Sequence, residues 1–92
     1  MSQEVEKTFT VQSELGLHAR PAGEFVKLAG DYACEVSVSR GGEWVNGQSV
    51  LSLLSLAAAC GTKLVVRAEG GDAAAAVEAL GKLLESPAPS SR

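Results

Sequence analysis

Apolar and polar residues alternate between Val5 and Val11: Val5, Phe9 and Val11 share one side and Thr8 and Thr10 the other, the period of a strand buried on one face. Ser13 to Gly16 reads as a turn. From Ala19 to Ala29 the period lengthens, with Ala22, Phe25, Val26 and Ala29 at helical spacing and Glu24 and Lys27 free to face water. Gly30 fits the stop of that helix, and Pro21 costs it little, because an N–H in the first turn has no helical partner to lose. Cys34, Val36 and Val38 alternate with Glu35, Ser37 and Ser39 as a second strand, and Gly41-Gly42 turns it into a third, Glu43 to Asn46. After the Asn46-Gly47 turn, Ser49 fits the cap of a short helix running through Leu56, with Val50, Leu51, Leu53 and Leu54 as its apolar content. Gly61 breaks the chain before a fourth strand, Lys63 to Glu69, whose Leu64, Val66 and Ala68 point inward. Asp72 is the expected cap of a last helix, in which Ala73, Ala76, Val77, Leu80, Leu83 and Leu84 form one apolar stripe. The Pro- and Ser-rich end, residues 87–92, reads as a disordered tail behind a single domain of residues 1–86.

The order is strand, helix, strand, strand, helix, strand, helix. Such an order makes a mostly antiparallel sheet with helices on one face and a wetter opposite face. Right-handed crossovers favour the last strand between the first and the second.

Composition narrows what this scaffold does. Hydrophobic residues are 46% of the chain but aromatics only 4%, so the core is aliphatic. The formal net charge of −3 argues against nucleic acid or an anionic membrane as the main partner, since both select a basic footprint. The polar start, Met1-Ser2-Gln3-Glu4, lacks the pattern of a signal peptide, and no apolar run is long enough to span a bilayer. A cytoplasmic protein is expected, without membrane insertion, with Cys34 and Cys60 reduced and buried in the core. Two cysteines and one histidine do not make a metal cage, so neither a metal nor a cofactor is expected.

The chemistry concentrates at Gly16-Leu17-His18-Ala19-Arg20-Pro21-Ala22. His18, the one histidine of the chain, falls between a strand and a helix. A helix N-terminus presents unpaired N–H groups and a partial positive charge, which suits phosphate. The Arg20 guanidinium adds a fork of donors at the same point, and both features favour a neutral, nucleophilic imidazole over an imidazolium. A lone histidine in a loop is more often a solvated polar residue; its place at the junction, Arg20, and the small residues Gly16, Ala19, Ala22 and Gly23 around it favour a phosphoryl carrier.

This motif resembles the active-site motif of the HPr family, the histidine-containing phosphocarriers of the bacterial sugar phosphotransferase system. Val45 to Leu56 resembles the family's second signature, a turn, a serine and a short apolar helix, and the similarity extends over residues 5 to 85. The resemblance implies an α+β open-faced sandwich: four antiparallel strands in the order 1-4-2-3, with three helices on one face. It implies that His18 is phosphorylated on Nδ1 by phosphorylated enzyme I and passes the group to the IIA domain of a sugar-specific enzyme II. Arg20 then assists the transfer, and the backbone N–H groups of Ala19 and Arg20 hold the phosphate. Ser49 matches a serine that a dedicated kinase/phosphorylase phosphorylates in many bacteria, and also fits a plain helix cap. Leu17, Val50, Leu51 and Leu54 match a partner-docking patch; for the last three the competing reading is core packing, with Leu51 and Leu54 the better candidates for exposure. The chain is expected to act as a monomer. Gln48 and Gly23 depart from the pattern, standing where many members carry lysine and serine or threonine.

Two other functions fit the same order of elements. A regulatory phosphorelay protein of this family would use the same His18 without serving sugar transport. A small nucleic-acid-binding module would need a basic or aromatic sheet face, and the acidic, aromatic-poor composition disfavours it.

Overall fold

The computed structural model describes residues 3–86. Its elements follow the predicted order: β1 (Gln3–Thr10), α1 (Ala19–Ala29), β2 (Cys34–Ser39), β3 (Trp44–Asn46), α2 (Val50–Leu54), β4 (Lys63–Gly70) and α3 (Ala73–Leu84). The tail expected at 87–92 lies outside the described residues.

The four strands form one antiparallel sheet in the order β1-β4-β2-β3. The register explains how alternation becomes a core. Val5 pairs with Ala68 and Phe9 with Leu64; across β4, Val36 and Val38 pair with Ala68 and Val66. Successive side chains point to opposite faces, so these residues all meet the helices on one side. Leu64, Val66, Ala68 and Val38 are fully buried there, in one cluster with Ala22 and Phe25 of α1, Leu53 of α2, and Ala76, Val77 and Leu80 of α3. The other face carries Glu4, Glu6, Glu35, Lys63 and Glu69 into water. There Arg67 bonds Glu4 through Nε at 2.7 Å and lies 5.8 Å from the centre of the Trp44 ring, within cation–π range. Trp44 itself is exposed, at 40%.

α3 lies along β1 and β4, and α1 packs between α3 and α2. The approach of α3 to β1 is close enough that a Cβ on Gly81 would overlap the Phe9 ring. Several local expectations change in three dimensions. α2 ends at Leu54, earlier than its apolar run, and Leu56 is buried in the turn beyond it. Asp72 is at the N-cap of α3 but does not cap it: its carboxylate accepts the Ala33 N–H at 2.9 Å and ties α3 to the start of β2. Gly30 ends α1 in right-handed geometry, at φ −69°. The cysteines are free but are not core residues; Cys34 is half-buried and Cys60 exposed. Among the described residues no helix is long and apolar enough to cross a membrane.

Candidate functional site

The site is built on two stacked turns. After Val11, whose N–H donates to Thr62 O at 2.9 Å, the chain turns at Ser13–Gly16, closed by the Gly16 N–H on Ser13 O at 2.9 Å. Gly16 has φ +75°, and a Cβ there would be 2.5 Å from Ala58 O and 2.9 Å from Ala59 Cα. This position needs glycine twice over, for its left-handed backbone and for the close approach of a second segment. The next N–H, of Leu17, donates to that same Ala58 O at 2.8 Å. The turn after α2 is therefore the seat on which the His18 turn rests.

His18 is the N-cap of α1, with extended backbone (φ −97°, ψ −169°) and a carbonyl that accepts the Ala22 N–H at 3.0 Å. Its side chain makes no capping bond and is free for other chemistry. The ring is half-buried with Nε2 inside: that atom is sealed from water and has no hydrogen-bond partner among the described residues, whereas Nδ1 is not enclosed in this way. At the helix start the N–H groups of Ala19 and Arg20 have no intrahelical acceptor, and Pro21 has no N–H. No acidic side chain lies in the first turn to compete for these donors. Arg20 is exposed and forms no ion pair or side-chain hydrogen bond among the described residues. The arrangement combines a half-buried imidazole, two free amides, the positive end of an 11-residue helix and an unengaged guanidinium, all suited to a phosphoryl group.

Ser49 occupies the N-cap of α2, where its Oγ accepts the Ser52 N–H at 3.2 Å. The turn before it is fixed by Asn46, whose Oδ1 accepts the Gln48 N–H at 2.9 Å, and by the Gly47 N–H on Val36 O at 2.8 Å. On α2, Leu51 is 80% exposed, Val50 and Leu54 are half-buried, and Leu53 fills the core. Leu17, expected at the docking surface, is instead a core residue at 7% exposure, because the bond to Ala58 draws it inward. Leu15 is the exposed residue of that turn, at 75%.

Two features of the site have no sequence signal. One is the burial of Nε2, which depends on how the ring sits against the fold. The other is Arg40, whose Nη1 donates to Leu56 O at 2.9 Å and lies 3.4 Å from Ala57 O, across 16 and 17 residues of chain. Among the described residues no group of three His, Cys, Asp or Glu side chains is placed to hold a metal ion.

Known proteins are similar to this chain in both sequence and fold. The family model described as "PTS HPr component phosphorylation site" matches residues 5–86. The phosphocarrier protein HPr of Borreliella burgdorferi is 39% identical over 82 residues, covering 89% of this chain and 95% of its own. The crystal structure of HPr from Bacillus anthracis superposes with a TM-score of 0.84 at 34% identity, over 88% of this chain and 96% of that one. A structure described as an HPr dimer from Thermoanaerobacter tengcongensis matches with a TM-score of 0.69 at 37% identity, over 76% and 80% of the two chains. The same two-turn seat, helix N-terminus and histidine thus sit in a chain that matches this family over nearly its whole length: it belongs to the HPr family of phosphocarriers of the phosphotransferase system.

Proposed function

We propose that His18 is the covalent carrier, taking a phosphoryl group on Nδ1 from phosphorylated enzyme I and giving it to the IIA domain of a sugar-specific enzyme II. The observation that carries this reading is the asymmetry of the ring. Nε2 is sealed, Nδ1 is not sealed in this way, and the helix start that His18 caps carries two free amides and an unengaged arginine. In the forward step the Nδ1 lone pair attacks phosphorus, an N–P bond forms, and the bond from phosphorus to the donor's own carrier group breaks, that group leaving with the electron pair. The Ala19 and Arg20 amides and the Arg20 guanidinium face the phosphoryl oxygens, where negative charge collects. The second step is the same reaction with His18 as the leaving group. Positioning by the donor enzyme supplies the rest.

Leu51, with Val50 and Leu54 beside it, offers the exposed apolar ground on which partners of this chemistry dock, and Arg20 meets their acidic groups. Ser49 is the regulatory position. A phosphate on its Oγ suits the start of α2 locally but adds about two negative charges to a face meant for acidic partners, and so weakens their binding. The protein acts in the cytoplasm, as a monomer.

Incubation with enzyme I and labelled phosphoenolpyruvate tests the central claim. Acid-labile, base-stable label should appear on the wild type and be absent from His18→Ala. Label that persists in His18→Ala would remove His18 as the carrier.

A further inference from the structure

Arg40 directly follows β2, and its side chain reaches away from its own strand to the turn that closes α2. Its Nη1 donates to Leu56 O at 2.9 Å, with Ala57 O at 3.4 Å as a second, weaker acceptor. Among the described residues no backbone N–H reaches either carbonyl. Arg40 is itself exposed and joins no ion pair there, so its guanidinium is committed to this turn.

The turn needs holding. Ala57 has φ +51°, the one left-handed non-glycine residue among those described, in a conformation that a Cβ disfavours. The next residue, Ala58, supplies the carbonyl that receives the Leu17 N–H at 2.8 Å and against which Gly16 is pressed. The His18 N–H in turn donates to Gly16 O at 3.1 Å. A continuous path of short contacts thus runs from the Arg40 guanidinium through Leu56, Ala57 and Ala58 to the turn that carries His18. A charge-assisted bond at one end offsets an unfavourable backbone in the middle.

We infer that Arg40 is a positioning residue for His18, holding the 56–58 turn in the left-handed form on which the His18 turn is seated. This rests on the phosphate-carrying reading of His18 and deepens it. Arg40 touches neither the ring nor the phosphoryl group; it acts by keeping the turn that carries His18 in a fixed place at the start of α1.

Phosphoramidate separates this role from docking, because so small a donor needs no protein surface. Nδ1 bonds to phosphorus as the P–N bond of the donor breaks and ammonia leaves. Arg40→Ala should lower the rate of His18 phosphorylation about tenfold, as loss of a charged hydrogen bond predicts, and by the same factor with enzyme I as donor. Arg40→Lys should recover part of the loss. Ala57→Gly placed in the Arg40→Ala background should bring the rate back to within about threefold of wild type, because glycine adopts the left-handed turn unaided. Hydrogen exchange of the Leu17 amide should quicken in Arg40→Ala while Leu64 and Val66 in β4 keep their protection, which a general loss of stability would not produce.

Wild-type rates in Arg40→Ala overturn the inference. So does a loss seen with enzyme I but not with phosphoramidate, which would make Arg40 a docking residue, and so does failure of Ala57→Gly to rescue. If wild-type His18 takes phosphate from neither donor, the carrier reading fails and the role of Arg40 in it fails too; labelling of wild type and Arg40→Ala at equal rates removes the role of Arg40 alone.

Discussion

The same substitution made at two glycines of the site should move stability in opposite directions. Gly16→Ala places a Cβ 2.5 Å from Ala58 O and 2.9 Å from Ala59 Cα, both backbone atoms that cannot swing aside, on a residue with φ +75°. The left-handed backbone costs an L residue about 1–2 kcal/mol. Forcing a methyl group into occupied space adds about 1–3 kcal/mol, for a total loss of about 2–5 kcal/mol. In a domain of this size each kcal/mol is worth about 4–8 °C, so the midpoint should fall by about 10 °C or more. Gly23→Ala is the counterpart. Gly23 lies inside α1 with nothing within 4 Å of the position its Cβ would take. Alanine there removes unfolded-state freedom and favours the helix, for a gain of about 0.5–1 kcal/mol and a rise of a few degrees. Thermal and urea unfolding followed by circular dichroism reads both signs. The first variant should also accept phosphate more slowly at a temperature where it is still folded, by up to about a hundredfold if His18 moves by an ångström. A Gly16→Ala midpoint within 2 °C of wild type, or a fall in Gly23→Ala, would refute the reasoning, because the Ala58 contact would then not be what fixes the turn.

Three further outcomes are expected. Ser49→Ala should lose about 1 kcal/mol of stability through the vacated cap on Ser52, while Ser49→Asp keeps most of it; equal urea midpoints for wild type and Ser49→Ala would contradict the cap. The side-chain hydrogen bond from Lys7, and then its charge, hold the Glu78 carboxyl below the usual carboxylate range. A depressed folded value gives stability that is present above the ordinary carboxylate value and lost as pH falls through the folded one, so its contribution should fade in the acid range, and Lys7→Met should move the Glu78 titration upward by carbon NMR. Burial, and then the Asp72 carboxylate, push the Cys34 thiol up, so iodoacetamide near pH 8 should modify exposed Cys60 well before Cys34; the reverse order would contradict the burial of Cys34.

The parts of this fold that were legible in the sequence are those set by local periodicity. Leu64, Val66 and Ala68 alternate because β4 buries one face, and the α3 stripe from Ala73 to Leu84 repeats because that helix buries one side. The place of β4 between β1 and β2 followed from the handedness of crossovers. The placing of His18 and Arg20 at the start of α1 was legible too, because the change of period from strand to helix falls between them and β1. What failed to show depends on segments distant in the chain. Asp72 reads as a cap, but the Ala33 N–H competes for its carboxylate and wins. Leu17 reads as part of an exposed motif, but Ala58 draws its backbone inward and its side chain follows. Gly81 looks like a poor helix residue until the Phe9 ring is seen against it. Arg40 carries no signature at all, because its acceptors are bare carbonyls that any sequence would supply.

Pro21 has a consequence beyond helix initiation. It removes the third amide of the first turn, so the opening of α1 presents two N–H groups to an anion with three terminal oxygens. A phosphoryl group seated there is left short of one donor from the backbone. On the proposed carrier reading, that vacancy would fall to the exposed Arg20 side chain or to a donor group on the partner. On the same reading, a complete nest of rigid amides would make a phosphate trap, whereas an incomplete one would make a handover point, its last hydrogen bond left to the visiting protein.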